Sequence, residues 1–413
     1  MANTDILLKE IQGSIDFFLN FTNLHPTSRG YGLTVDSTKK PDIASIASVG
    51  FALTAWVIAV ERKIIPRQDG RDIVLRTFQT LLSNASHYRG FFAHYLQMET
   101  ASRVRKCEYS TIDTALCLNG VITAAAYFQD AEIDDLAQAL LGRVDWGHFV
   151  AEKNGRTLFR MAYNPDRGGD YVEDEPGFIS YWSMAAEQKM MYLQAAPYLE
   201  PDLARRLYDG FSRDIGVYDG REIIINPGGT LFAYQFSEAW LDVAHYLDPQ
   251  GVNWFENTRL AALANRSFCI EQSRRIKTYN ASSWGASCGD SPWGYDVSGG
   301  PPSLFGPRPN GTVSIYGGIA CLPFIPAFTL EMVEYLYHQQ PRTWGKYGFF
   351  DAYNLDVSPV WYSQAIFGID KGCSMIMIEN YLSGLIWDVY TGSPLIQKAL
   401  AILGFTRKGD QHE

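Results

Sequence analysis

Six times along this chain, a helical stretch with one apolar face is followed by a stretch that is apolar nearly all round. The first kind covers residues 5–22, 72–84, 132–143, 201–213, 254–275 and 329–338. The second covers 45–62, 110–128, 181–196, 231–247, 312–324 and 374–390, and a last helix, 395–403, closes the chain. A helix that is apolar on every side must be enclosed by others, whereas a single apolar face marks a helix at the rim of a core. The connections are unequal too. Those leading into the enclosed stretches run about 18 to 36 residues and the returns mostly about 3 to 8, and long irregular loops in a compact domain usually carry function.

This alternation predicts an all-α fold, an (α/α)6 barrel. Six inner and six outer helices would form a toroid, one domain spanning 1–413, with the long loops at one end over the N-termini of the inner helices. An α-solenoid is the main competitor, but its repeats are shorter and its loops more even.

Composition narrows the function classes. Aromatic residues make up 14% of the chain, with 24 Tyr and 10 Trp; flat rings with polar tips suit sugar stacking as well as core packing. The net charge of −10 argues against nucleic acid, because no basic stripe is available to neutralise phosphates. The six cysteines form no CxxC pair and no Cys/His metal spacing, so neither a disulfide framework nor a metal site is expected. No run reaches 18 uncharged apolar residues, so no membrane span is expected. The N-terminus lacks a basic, unbroken apolar leader. A cytoplasmic location follows as the sequence stands, or a periplasmic or secreted one had a leader been removed. There is no GxSxG, P-loop, GxGxxG or HExxH motif.

The candidates are therefore acids at loop ends and inner-helix starts: Asp36, Asp42, Glu99, Glu108, Asp113, Asp170, Glu173, Asp174, Glu175, Glu187, Glu238, Asp290, Asp296, Asp351, Asp370 and Glu379. Glu187 is predicted seven residues into the apolar helix YWSMAAEQKMMYL, where burial should raise its pKa and suit it to general-acid work. Asp113 follows Ser110 and Thr111 by one turn and could simply hold a helix start. Asp370, at the mouth of the last inner helix, is predicted to be exposed enough to activate water. The stretch from Trp344 to Gly384 sets Asp351, Asp370 and Glu379 among Tyr353, Asn354, Trp361 and Tyr381, carboxylates among rings and amides, as a sugar site requires.

Several blocks together resemble the bacterial glucoamylase-like family and the related endo-β-1,2-glucanases. They are SIASVGFALTA (45–55), FFAHYLQMET with EYSTIDTALCLNG (91–120), VDWGHF (144–149), LFAYQFSEAWLD (231–242), NWFENTRLAALANRSFCI (253–270), WGASCGDSPWGY (284–295), NGTVSIYGGIACLPFIP (310–326), and WGKYGFFDAYNL with GIDKGCSMIMIENYLSGLIW (344–387). The resemblance implies the (α/α)6 toroid and hydrolysis of β-1,2-glucan to sophorooligosaccharides, with no metal or organic cofactor. It maps the family's acid to Glu187. The family's Tyr-Asn before that Glu is here Ala185–Ala186, and its Ala-Met after it is Gln188–Lys189, while the Tyr five residues on is kept as Tyr192. The base maps to Asp370, with Asp351 second. Glu108, Asp113, Gln235, Trp284, Asp290, Tyr295, Tyr353, Asn354, Glu379 and Tyr381 would line the subsites, Trp284 and Tyr295 as stacking platforms.

Four readings remain: a β-1,2-glucan hydrolase; a transglycosylase or exo-acting, sophorose-releasing enzyme on the same fold; a sugar epimerase; or a non-catalytic glucan-binding protein. Epimerases on this toroid rely on histidine pairs, and only His245 is predicted on an inner helix. Linkage, endo or exo mode, stereochemical outcome and oligomeric state are not encoded legibly.

Overall fold

The computed structural model describes residues 2–166 and 177–409. Among them are 14 α-helices: α1 (Ala2–Phe21), α2 (Ile46–Glu61), α3 (Arg67–Ser83), α4 (Thr111–Phe128), α5 (Ala131–Gly142), α6 (Lys189–Ala195), α7 (Pro201–Gly210), α8 (Phe232–Gln235), α9 (Trp254–Gln272), α10 (Ile315–Ile319), α11 (Pro326–Gln339), α12 (Gly368–Ser383), α13 (Leu385–Thr391) and α14 (Pro394–Leu403). The helices predicted to be enclosed are enclosed. Every residue of α2 from Ile46 to Val60 is buried, and α12 is buried from Asp370 to Asn380. The amphipathic helices cover them: α1 packs on α12, α3 and α5 on α2 and α4, α7 on α6, and α11 on α10. α4 is long and apolar enough to cross a membrane, but it packs against α2 and α6 in the core.

α2 touches α4 on one side and α12 on the other, and α10 in turn touches α12. The α2–α4 crossing depends on paired glycines. A Cβ on Gly50 would lie 2.0 Å from the Leu116 carbonyl oxygen, and one on Gly120 would lie 2.2 Å from that of Gly50. Backbones this close leave no room for a side chain.

Three inner stretches, 181–196, 231–247 and 312–324, hold shorter helices than predicted, and the last stretch is divided in two. Residues 181–188 are claimed by other partners: Tyr181 pairs with Arg160 in a strand ladder, and Ala185 N–H and Ser183 O bond the Ser212 backbone. The stretch after Gln235 breaks into irregular turns, where Asp242 caps the Ala244 and His245 amides. His245 is thus in a turn rather than on an inner helix. In the last stretch, Gly384 adopts a left-handed conformation (φ 74°) and separates α12 from α13, the usual device for stopping a helix.

The long loops are not structureless. They fold into short antiparallel pairs, including 288–291 with 294–297 and a ladder built on Arg156–Tyr163. Three inner helices begin alike, with an extended serine: Ser45, Ser110 and Ser314 precede α2, α4 and α10 at ψ 133°, 133° and 106°. All six cysteines are free.

Candidate active site

The N-terminal ends of α2, α4, α8 and α12 converge on a cavity of about 510 Å3, lined among others by Ser45, Asp113, Phe232 and Ile369. The first long loop adds Asp36, Lys39 and Lys40, the second adds His94 and Tyr95, and the 288–297 hairpin adds Cys288 and Tyr295. Glu187 faces the same space. A larger concavity of about 850 Å3 lies at the far end of α4, but its walls are mostly small and apolar, such as Ala125, Ala137, Val389 and Pro394.

Glu187 does not sit inside a helix. It occupies a turn two residues before α6 begins. That turn is held from both sides. The Gln188 side chain accepts from Ala186 N–H at 2.9 Å and donates to Met184 O at 2.8 Å, while Ser237 Oγ donates to Glu187 O and accepts from Met190 N–H at 3.1 Å. Burial pushes the Glu187 carboxyl up to about 7, with a further push from the charge of Asp113. Such a group holds its proton near neutrality, as a general acid must.

Asp370 lies in the first turn of α12 and is only 1% exposed, so the predicted exposure is overturned. Its carboxyl hydrogen-bonds that of Asp351, which is also buried. Burial raises both, and the charge of Asp351 pushes Asp370 up further while the hydrogen bond from Asp370 favours the Asp351 anion, so the pair shares a proton that a lone carboxyl would have lost. Asp351 Oδ2 accepts from Asp290 N–H at 2.6 Å. The hairpin approaches so closely that a Cβ on Gly289 would lie 2.9 Å from that oxygen. Asp290 is also buried, accepting from Lys39 at 2.6 Å and from Ser363 Oγ at 2.6 Å. Tyr295 O–H lies 3.3 Å from both Asp370 oxygens, and its ring packs on Phe367. The Cys288 thiol feels the charges of both Asp370 and Glu187, so the two acids approach a common point.

Glu108 and Asp113 flank His94, at 2.7 Å from Nδ1 and 3.7 Å from Nε2. Burial opposes the charge on His94, but these two acids and Asp36 prevail and raise it to about 9. Both ring nitrogens of His94 thus face carboxylates, in an ion-pair network with Glu108 and Asp113. Asp113 does hold the helix start as well: Ser110 Oγ accepts from its N–H at 3.2 Å and donates to its carboxylate at 2.6 Å.

The other predicted subsite residues lie elsewhere. Trp284 is 0% exposed and offers no ring face to a ligand. Gln235 is buried and bonds Gly317 O at 2.7 Å, tying α8 to α10. Tyr353 bonds Ser283 and stacks on Tyr362, and Asn354 bonds Asn310 O and Thr312 Oγ1 at 3.1 Å each. Glu379 pairs with Arg62 at the other end of α12, about 13 Å along the helix axis from Asp370 at 1.5 Å rise per residue; Tyr381 is exposed beyond it. Glu238 is buried 3.3 Å from Lys189 Nζ, and Asp42, Glu99 and Asp296 are exposed. Asp170, Glu173, Asp174 and Glu175 lie outside the described residues. Sequence reasoning missed His94, Lys39 and Ser237, none of which stands in a recognisable spacing.

A curated relative from Parabacteroides distasonis, an exo β-1,2-glucooligosaccharide sophorohydrolase (non-reducing end), is 24% identical over 393 residues. That match covers 87% of this chain and 53% of the relative, so the chain spans about half the relative's length. The endo-β-1,2-glucanase of Chitinophaga pinensis, solved with sophorotriose and glucose, superposes with a TM-score of 0.84 at 22% identity, over 98% of this chain and 99% of that one. A β-1,2-glucanase from Parabacteroides distasonis gives 0.84 at 23% identity, over 98% of this chain and 60% of that one. The family model Glycoamylase, described as "Putative glucoamylase", matches residues 180–394. That span is more than half of the 413 residues, and the chain belongs to the Glycoamylase family.

Proposed function

We propose that this chain is a glycoside hydrolase that cleaves β-1,2-glucan or sophorooligosaccharides, built as a single (α/α)6 toroid with its substrate over the N-termini of the inner helices. One observation carries the reading. A half-buried carboxyl, Glu187, raised to about 7, faces the same cavity that backs onto a buried carboxyl pair, Asp351 and Asp370. Two acids with different protonation states are what glycoside hydrolysis needs. Glu187 donates a proton to the departing glycosidic oxygen, directly or through a substrate hydroxyl, and the Asp370 side takes a proton from the attacking water. Asp36, Asp113 and Lys40, which line the same cavity, supply acceptors and donors for sugar hydroxyls. The names of the Parabacteroides and Chitinophaga relatives support the β-1,2 linkage.

The epimerase reading needs a histidine pair. Among the described lining residues the cavity has one histidine, His94, already committed to two carboxylates. Incubation with β-1,2-, β-1,3-, β-1,4- and α-linked glucans, with products read by size, tests the proposal. Short sophorooligosaccharides from β-1,2-glucan alone are expected. Disaccharide as the sole early product marks exo release, and products longer than the substrate mark transfer. Inactivity on β-1,2-glucan would overturn the substrate assignment.

A further inference from the structure

Neither member of the carboxyl pair lines the cavity: Asp370 is 1% and Asp351 5% exposed. A water poised at an anomeric carbon in that cavity therefore meets neither carboxyl directly. What it meets is Tyr295, which lines the cavity, is 45% exposed, and sets its hydroxyl 3.3 Å from both Asp370 oxygens. We infer that Tyr295 is the group that contacts the attacking water, and that the water's proton travels inward through Tyr295 and Asp370 to Asp351. The inference rests on the hydrolytic reading above and adds a catalytic residue to it.

The surroundings fit each member of the relay. Asp370, in contact with Asp351, Tyr295 and Tyr316, feels its charged neighbour and is pushed well above the ordinary carboxyl range. It is the member that rests protonated and donates to Asp351. Asp351 is the better-supported anion. It accepts the Asp290 amide at 2.6 Å and feels Lys371, whose Nζ is fixed by Glu10 at 2.7 Å and by Phe349 O at 2.7 Å. Desolvation of the hydroxyl end, set against the buried Asp370, and the charge of Asp370 hold Tyr295 well above its usual pKa, so it stays a neutral O–H donor. Its ring already packs against Phe367 at 4.8 Å, which leaves it less suited to stacking a sugar than the sequence suggested.

The step balances. The water oxygen bonds to the anomeric carbon as the glycosidic C–O bond breaks, and Glu187 gives its proton to the departing oxygen. The water's proton passes to the Tyr295 oxygen while the Tyr295 proton passes to Asp370. The proton that Asp370 held in its bond to Asp351 moves onto Asp351. Glu187 ends as a carboxylate and the Asp pair with two protons, and exchange with solvent through the cavity resets both. No oxidant, reductant or second substrate enters.

The test is Tyr295→Phe, which keeps the ring and removes only the hydroxyl. On β-1,2-glucan, kcat is expected to fall by about 100-fold or more, the usual scale for losing general-base assistance, with KM within about 3-fold of wild type. Azide, a nucleophile with no proton to surrender, should then restore bond cleavage and yield a glycosyl azide. A Tyr295→Phe enzyme with wild-type kcat, one that loses only KM, or one whose lost kcat azide fails to restore overturns the relay while leaving the hydrolase intact. Wild-type protein that releases nothing from β-1,2-glucan overturns both.

Discussion

Ser237, on the turn that follows α8, bonds the main-chain carbonyl of Glu187 and accepts the Met190 amide at 3.1 Å. The acid's position is therefore set by a hydroxyl some fifty residues away in sequence, and not by a long helix beneath it. A buried hydroxyl with both bonds made rigidifies what it joins, and removing it leaves two backbone groups short of a partner.

Ser237→Ala should accordingly act through Glu187. We expect kcat to drop about 10-fold, with KM little changed and a net stability loss of about 1 kcal/mol, the typical worth of one hydrogen bond. The alkaline limb of the pH–rate profile should move with it, which a purely structural loss would not produce. Steady-state kinetics against pH reads both.

The pH dependence of kcat/KM should be bell-shaped. Glu187 must hold a proton to act as the acid, so activity falls as pH rises through about 7. The Asp351/Asp370 pair must retain one negative charge to accept a proton, so activity also falls on the acid side, at a pH above the ordinary carboxyl range because burial raises the pair. A profile flat from pH 5 to 9 would exclude both roles.

The same burial makes Glu187 a stability liability at high pH. Its folded-state pKa is raised from 4.5 to about 7, so the native state binds the proton more tightly than the unfolded chain does. Its contribution is fully present below the unfolded value and is lost as pH rises through the folded one. Glu187→Gln, a neutral near-isostere, should therefore stabilise the protein by up to about 3 kcal/mol at pH 8 and by little at pH 4.5. Denaturant melts at the two pH values check the sign.

Trp284 is expected to matter for folding alone. Its indole is fully buried, so Trp284→Ala should lower stability by about 3–5 kcal/mol, as for large core truncations. KM for glucan in the folded fraction should stay unchanged. A KM increase with normal stability would restore Trp284 as a stacking platform.

How far the sequence was legible follows from the kind of signal each residue carried. Enclosed helices such as α2 and α4 announce themselves by being apolar all round, and their ends were read to within a residue or so. The shared extended serine before α2, α4 and α10 was also present in the text, as Ser-Ile, Ser-Thr and Ser-Ile at the helix starts, but it is too short a signal to stand out unaided. α6 and α8 were read too long because 181–188 and 236–247 find tertiary partners, in Arg160, Ser212 and Thr391, that no local pattern records.

Of the site, Glu187, Asp113, Asp351 and Asp370 could be found as acids at inner-helix starts and loop ends. Their pairing could not, since Asp351 and Asp370 meet only when the 344–367 loop folds back over α10. Glu379 has a simpler explanation. The apolar pattern places the start of the last inner helix at 374, but α12 already begins at Gly368, so Glu379 lies well down the helix from the end that faces the cavity. His94 carried no spacing signal, since its partners Glu108 and Asp113 reach it through a loop.

The most direct test of the central claim compares Glu187→Gln with wild type on two substrates, β-1,2-glucan and a sophoroside bearing a nitrophenolate leaving group that needs no protonation. On the glucan, kcat of Glu187→Gln is expected to fall by about 100-fold or more, the scale of losing general-acid help, with the fold intact by circular dichroism and most of the rate retained on the activated sophoroside. Wild-type turnover of β-1,2-glucan by Glu187→Gln would contradict that claim.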